Sequence, residues 1–408
     1  MRLAFLTHEP FFPPSGGGSA EAPYLMNELV RRGHQVHLFC PEFPDSKSVA
    51  LQFGISIHPF TRWKMGRYTR LRNLKYLLYP LALTRHADQV LADLNQSTEG
   101  KFRFEAILAQ HTIAGVAGGH LRRRWKVPLV MNFLDYLTGF METWPALFTR
   151  TGFVPLLNQF ELSMPRRFDA EGIMTVSTPL AERFNRTGYP SEKIRAIHYG
   201  YDAKLFAPGT EIPSPQRPVV VMHGSFDRHH LGPIARGAVL EIHASRPKVI
   251  FRFVGRVTPV LAEFTRDLRQ RAPNLELETT GFVPYATVAD QLRGATLGIV
   301  PYEASEGVHC AFVAKAVEYL GCGLNCVSTP LENLQGYFRS EPALHFSGWD
   351  AHTFAGKVLQ VLNQSPDQRR ASGLAASRRV SRELDWRIIA SNAVDFTEQR
   401  TQPTPSLS

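Results

Sequence analysis

Cysteine is scarce in this chain of 408 residues: Cys40, Cys310, Cys322 and Cys326 are the only four. No two are spaced C-x-x-C, so neither a disulfide scaffold nor a zinc or dithiol site is expected. Buried, reduced thiols suit a reducing, cytoplasmic setting. Long apolar runs are missing as well. The longest, Tyr76 to Leu83, contains Pro80 and falls far short of the ~20 residues of a membrane span. Leu3 to Leu6 is cut by Thr7, His8, Glu9 and Pro10, too early for the ~7–15-residue core of a signal peptide. No two aspartates stand two positions apart, so an Asp-x-Asp grip on a metal is not expected, and no metal or other cofactor is. Acidic residues are absent between Ser46 and Ala87.

What remains is ordinary globular composition, with 44% hydrophobic and 20% charged residues. At roughly 100–200 residues per domain, two domains are expected. The formal net charge is +10. In the acid-free stretch, Arg62, Lys64, Arg67, Arg70, Arg72 and Lys75 interleave with Trp63, Met65, Tyr68, Leu71, Leu74 and Tyr76. Such a segment suits an anionic membrane surface, at ~1 kcal/mol per basic side chain, or equally a solvated loop and helix face. No nucleic-acid motif accompanies the charge, so nucleic acid is not an expected partner.

The chain alternates between the two periodicities. Arg2 to Leu6 reads as a strand, 8–19 as a loop rich in Pro and Gly, 21–32 as a helix ended by Gly33, and Gln35 to Cys40 as the next strand. Further strands are expected at 106–109, 129–132 and 172–177. Residues 206–218, FAPGTEIPSPQRP, hold four prolines and read as a linker. A second series follows at 219–223, 249–254, 275–279, 295–301 and 325–328. This is α/β organisation with parallel sheets, in domains 1–205 and 219–384 and a terminal helix over 385–400.

Three places can carry chemistry. Ser15-Gly16-Gly17-Gly18-Ser19 separates the first strand from the first helix. Its glycines permit close backbone approach, and the helix start offers free N–H groups to a phosphate. Glu21 stands where a dinucleotide fingerprint needs its third glycine, so that reading fails, and a plain structural turn stays open. The second place is PYEASEGVHCAFVAKAVEYLGCGLNCV, residues 301–327: a polar loop over 303–309, then a helix over 312–320. Lys315 and Glu318 share a face of that helix. They read either as a surface ion pair or as a carboxylate for ribose hydroxyls beside loop amides for a diphosphate. The third is the run after the strand residues 219–222, with His223, Arg228, His229 and His230. Arg228 is the best cation there for a departing diphosphate.

These segments together resemble family 4 of the GT-B-fold glycosyltransferases. The resemblance rests on the Gly-rich loop with Leu29-Val30-Arg31-Arg32-Gly33-His34-Gln35-Val36 and on Ile194 to Phe206, which is similar to an "NGVD…F-x-P" element. It also rests on Phe253-Val254-Gly255, Thr280-Gly281-Phe282-Val283 and Asp385-Trp386, and above all on Lys315 to Gly323, which resembles a "K-x-x-E-Y-x-A-x-G" donor-site helix. The resemblance implies two Rossmann-like domains facing a central cleft, an acceptor-binding one first and a nucleotide-sugar-binding one second. It implies a hexosyltransferase, retaining and metal-independent, with a UDP-sugar as donor and a glycan, lipid-linked or small-molecule acceptor. Glu318 would bind the donor ribose. Lys315 and the loop Glu306, Val308, His309 would face the donor sugar and diphosphate, and Gly17 and Gly18 would lie in the cleft. Cys310 stands where the family often has the first of two glutamates, which leaves Glu306 as the substitute. Phe133-Leu134-Asp135 stands where it often has His-Asp, which leaves Asp135. Ser225 and His230 take the places of its Arg and Lys, with Arg228 in support. The resemblance places such an enzyme in polysaccharide or glycolipid synthesis, in the cytoplasm and peripheral on the inner face of the membrane. An epimerase-like GT-B enzyme acting on the nucleotide sugar, or an inactive GT-B scaffold, are the alternatives.

Overall fold

The structure, a computed structural model, describes residues 1–13, 18–60, 72–97, 101–141, 153–209 and 217–402, without the side chains of 18–19 and 72–77. Ser15, Gly16 and Gly17 and the basic stretch from Arg62 to Leu71 lie outside the described residues. Two compact units emerge: Met1–His198 with Arg387–Ser408, and Tyr199–Trp386.

The first unit is built on a seven-stranded sheet. Its elements are β1 (Arg2–Leu6), α1 (Gly18–Arg31), β2 (Gln35–Pro41), α2 (Ser46–Phe53), β3 (Ser56–Phe60), α3 (Arg72–Ser97), β4 (Ala106–Gln110), α4 (His111–Trp125), β5 (Leu129–Phe133), α5 (Leu137–Phe140), α6 (Phe153–Arg167), β6 (Gly172–Thr175), α7 (Thr178–Arg186) and β7 (Ile194–Ala196). The strand order is β3-β2-β1-β4-β5-β6-β7, with every pairing parallel. Parallel strands need crossover helices, which cover both faces, and β1, β4, β5 and β6 are accordingly apolar and buried along nearly their whole length. Helix α1 ends in a Schellman turn: Gly33, at φ 81°, donates to Val30 and His34 donates to Leu29.

The second unit has a six-stranded parallel sheet in the order β10-β9-β8-β11-β12-β13. Its elements are β8 (Val219–His223), α8 (Pro233–Ser245), β9 (Ile250–Val254), α9 (Pro259–Arg271), β10 (Glu276–Thr279), α10 (Tyr285–Arg293), β11 (Leu297–Val300), α11 (Glu306–Cys310), α12 (Ala314–Gly321), β12 (Cys326–Ser328), α13 (Glu332–Tyr337), β13 (Leu344–Phe346), α14 (Ala351–Leu362) and α15 (Pro366–Glu383). The last helix, α16 (Trp386–Thr401), belongs from Arg387 onward to the first unit. There Arg32 pairs with Asp395 at 2.5 Å and Glu398 at 2.9 Å, and His34 meets Glu398 at 2.7 Å.

Several local expectations are corrected. The division between units falls at His198–Tyr199, ahead of the Pro-rich stretch. Tyr201 exchanges backbone hydrogen bonds with Leu384 and Trp386, and the Tyr199 ring lies 4.7 Å from that of Trp386, which binds this segment into the second unit. The loop expected over 303–309 contains the one-turn helix α11, because the Ser305 side chain caps it by accepting from the Val308 N–H. Helix α12 starts at Ala314 rather than 312, since Val313 is extended and Phe312 is buried against Tyr337 and Phe338. Strand β6 stops at Thr175 because Ser177 caps α7. No described helix is long and apolar enough to cross a membrane.

At the ends of β8 and β9 the backbone leaves no room for a side chain. Gly255 has φ 146°, and a Cβ there would lie 2.2 Å from the carbonyl oxygen of Gly224. Gly255→Ala should therefore lower the stability of the second unit by about 2 kcal/mol or more, read as an earlier urea transition. An unshifted transition would show that the crossing relaxes freely.

Candidate active site

In the second unit, α12 brings both of its charged side chains to the end of β8. A Cβ on Gly224, at φ 103°, would lie 2.9 Å from Lys315 Cε and 3.3 Å from Nζ, so the ammonium sits over the glycine. Lys315 Nζ donates to Tyr302 Oη at 2.8 Å. One turn on, Glu318 is buried at 6% exposure. Its Oε2 meets His223 Nε2 at 2.5 Å, and its Oε1 accepts from the Tyr285 hydroxyl. The reading of a surface Lys–Glu pair is thus corrected: the two groups have different partners, and the carboxylate is out of bulk water. Burying a carboxylate is costly unless hydrogen bonds compensate it. Two donors do so here, and the oxygens keep acceptor capacity for ligand hydroxyls.

Beside Lys315 lies an uncharged aromatic wall. The His230 ring is 4.5 Å from that of Tyr302 and 3.8 Å from that of His229. Burial, with Lys315 close by, pushes His229 down to about 4 and His230 well below the usual histidine range. His230 Nδ1 accepts the Asp227 N–H at 3.1 Å, which places the ring proton on Nε2. Ser225 and Arg228 are exposed in the turn between. Glu303, after β11, accepts from the Ile234 N–H at 2.8 Å and so occupies the start of α8 with the protein's own carboxylate.

The first unit gathers carboxylates around one histidine at the ends of β1, β4 and β5. His111 is the first residue of α4 and sits at φ 68°, a conformation uncommon for a side-chain-bearing residue and frequent at functional sites. Its Nε2 is 3.5 Å from Glu9 Oε2. Burial pulls the imidazole pKa down, but Glu9, Asp135 and Glu21 more than reverse this and leave it raised. Asp135 is exposed. Desolvation pushes it up to about 6, opposed by His111 and assisted by Glu9 and Glu161. Glu21 is buried at 1% exposure and accepts at Oε2 from Gln110 at 3.0 Å and Asn132 at 2.8 Å. Glu161 accepts from Thr112, from the Leu137 N–H, and from both the N–H and the hydroxyl of Thr138, so it clamps α4 to the loop after β5.

Residues 16–200 match the model of the glycosyl transferase 4-like domain. Residues 16–200 thus form a glycosyl transferase 4-like domain, in a chain with the GT-B fold. Sucrose-phosphate synthase from Thermosynechococcus elongatus superposes with a TM-score of 0.76 at 17% identity, over 98% of each chain. HepE from Anabaena, solved in complex with UDP and glucose, gives 0.68 at 18%, covering 98% of this chain and 100% of that one. WaaG, a glycosyltransferase involved in lipopolysaccharide biosynthesis, gives 0.63 at 14%, covering 96% of this chain and 98% of that one. No curated protein matches the chain in sequence.

The residues expected from sequence separate into groups. Lys315, His230 and the Gly224–Ser225 turn come together, with Glu318 adjacent through His223. Arg228 is exposed in the same turn and has no carboxylate partner among the described residues. Glu306 is exposed at the start of α11, where Val308 is buried. His309 looks elsewhere: its Nδ1 accepts the Glu332 N–H at 3.3 Å, and its ring lies 5.3 Å from that of Trp349. Asp135 belongs to the first unit's cluster. Gly18 opens α1, and Gly17 lies outside the described residues. Sequence reasoning missed Glu9, Glu21, His111, Tyr285 and Tyr302. The signal for His111 was its place directly after an apolar strand, at the carboxyl edge where α/β folds bind ligands.

Glu21 gives this site a pH signature. Its carboxyl ordinarily titrates at 4.5 and is pushed up to about 7 in the fold, by burial against the hydrogen bonds of Gln110 and Asn132. A raised acid stabilises the fold fully below its unfolded pKa and loses that contribution as pH rises through its folded one. Wild-type stability should therefore fall between roughly pH 4.5 and 7, by up to about 3 kcal/mol from this group. In Glu21→Gln the slope across that window should flatten. Parallel urea titrations of the two proteins test this, and equal slopes refute it.

Proposed function

We propose that this protein is a glycosyltransferase, moving a hexosyl group from a UDP-linked donor, held by the second unit, to an acceptor hydroxyl held by the first. The reading includes retention at the anomeric carbon and independence of metal. The observation that carries it is the joint placement of Lys315 over Gly224 and Glu318 on His223, from one helix at the carboxyl edge of a parallel sheet. A ribose presents two hydroxyls to a carboxylate, and a diphosphate needs cations. The neighbour HepE was solved in complex with UDP and glucose, which supports UDP as the donor nucleotide.

In this reading the bond from the acceptor oxygen to the anomeric carbon forms as the bond from that carbon to the diphosphate oxygen breaks, on the same face. The acceptor proton passes to the departing diphosphate. Charge builds on that leaving group, and Lys315 and Arg228 stabilise it, with His230 and Ser225 as neutral donors. Glu306 faces the donor sugar, and Asp135 serves on the acceptor side. The protein's work is positioning and electrostatics rather than covalent chemistry.

Calorimetric titration with UDP tests the donor site. Glu318→Ala should weaken UDP binding roughly 10–100-fold, the worth of hydrogen bonds to a charged group. Unchanged affinity removes Glu318 from the site. The chain has no Asp-x-Asp, and its two cations suit the diphosphate directly. Transfer should therefore persist in EDTA, and abolition by chelator with rescue by Mn²⁺ or Mg²⁺ would overturn metal independence.

A further inference from the structure

The two donors that hold Glu318 differ in where they stand. His223 is 4% exposed, and its backbone N–H donates to the Tyr319 hydroxyl at 3.2 Å. Its ring lies 5.0 Å from that of Tyr319, so it closes the Oε2 side of the carboxylate from within the core. Tyr285 is 41% exposed and opens α10, directly after the exposed Pro284. Its ring packs edge-to-face on buried Phe206, with centroids 5.0 Å apart, and its hydroxyl donates to Oε1. The Glu318 side chain is left only 8% exposed. Of its two partners, Tyr285 is the one that stands between the carboxylate and solvent.

We infer that the Tyr285 hydroxyl holds the place on Glu318 that a ribose hydroxyl of the donor takes, and that Tyr285 thereby sets how strongly the site separates a ribose from its deoxy analogues. The inference rests on the proposed donor reading and adds a specificity-determining residue that works through Glu318. A tyrosine O–H and a ribose O–H are the same kind of donor to a carboxylate. A ribose brings two such hydroxyls, and the exchange gives up one. The net gain is one charge-assisted hydrogen bond, which agrees with the roughly 10–100-fold expected of Glu318→Ala. The tyrosine bond also spares a buried carboxylate an unpaired oxygen, which would be costly to the fold. Tyr285 therefore works in two directions: it stabilises the folded second unit and weakens the hold on the nucleotide. A dideoxyribose has no hydroxyl to offer Oε1, so it leaves the Tyr285 bond in place and gains nothing when that bond is removed.

Calorimetric titration of the full chain with UDP and with 2′,3′-dideoxyuridine diphosphate tests this. Tyr285→Phe keeps the ring on Phe206 and removes only the hydroxyl. It should bind UDP roughly three- to tenfold more tightly than wild type and the dideoxy analogue no more tightly, so the gap between the two widens by that factor. In the Glu318→Ala background the same substitution should change neither affinity. A purely structural Tyr285 gives the opposite sign, because a less firmly held Glu318 binds UDP less well. Tyr285→Leu removes the same hydroxyl and should show the same widening, which keeps the experiment readable if the Phe variant fails to fold. An unchanged gap overturns the inference, as do tighter binding of both nucleotides alike and weaker binding of UDP. UDP binding that depends on Glu318 but ignores Tyr285 sinks this inference alone. UDP binding that is absent, or indifferent to Glu318→Ala, sinks the donor reading and this inference with it.

Discussion

Everything functional here depends on strands that all run the same way. In a parallel sheet each strand must be followed by a crossover, so every strand's carboxyl end opens onto a loop at one edge. His223 ends β8, Gly224 and Tyr302 stand past the ends of β8 and β11, and Glu9, His111 and Asp135 past the ends of β1, β4 and β5. Backbone N–H groups, helix starts and loop side chains accumulate at such an edge without being close in sequence. The close crossing of Gly224 and Gly255 is the tightest expression of this constraint: two neighbouring strands leave the sheet with room for backbone alone, and the Lys315 ammonium settles over the gap.

The two units use opposite electrostatics on the same framework. In the second, an ammonium sits beside two histidines that burial keeps neutral, so positive charge is concentrated on Lys315 and on exposed Arg228. In the first, carboxylates surround one imidazole whose pKa they raise. A nucleotide diphosphate carries dense negative charge, and a sugar hydroxyl carries none. The cationic groups of the second unit are the ones that the proposed donor diphosphate would need.

Buried carboxylates are expensive, and Glu318, Glu21 and Glu161 are each met by their own donors. Glu318 has His223 and Tyr285, Glu21 has two carboxamides, and Glu161 has two threonines and two backbone N–H groups. Satisfied groups of this kind lock neighbouring elements in place. Glu161 fixes the loop that carries Asp135, and Glu21 fixes the strand ends that carry His111. The groups with capacity left over are then held by groups with none, which is how an active site is pre-organised.

The sequence by itself determined the alternation of strands and helices, the parallel α/β class and the common face of Lys315 and Glu318, because these follow from local periodicity. Short strands β3, β7 and β13 escaped that reading, being three to five residues long with weak patterning. The turn of helix at 306–310 escaped it because a single Ser305 side-chain bond decides it. Only the tertiary structure decided that Glu318 is a buried carboxylate rather than a surface partner of Lys315, since its donors come from positions 95 and 33 residues away. It alone placed Glu9, His111 and Asp135 together, and it turned His309 towards Glu332 and Trp349. Periodicity states which residues share an element's face. What that face meets is set by strand order, and strand order is chosen by packing the whole sheet at once.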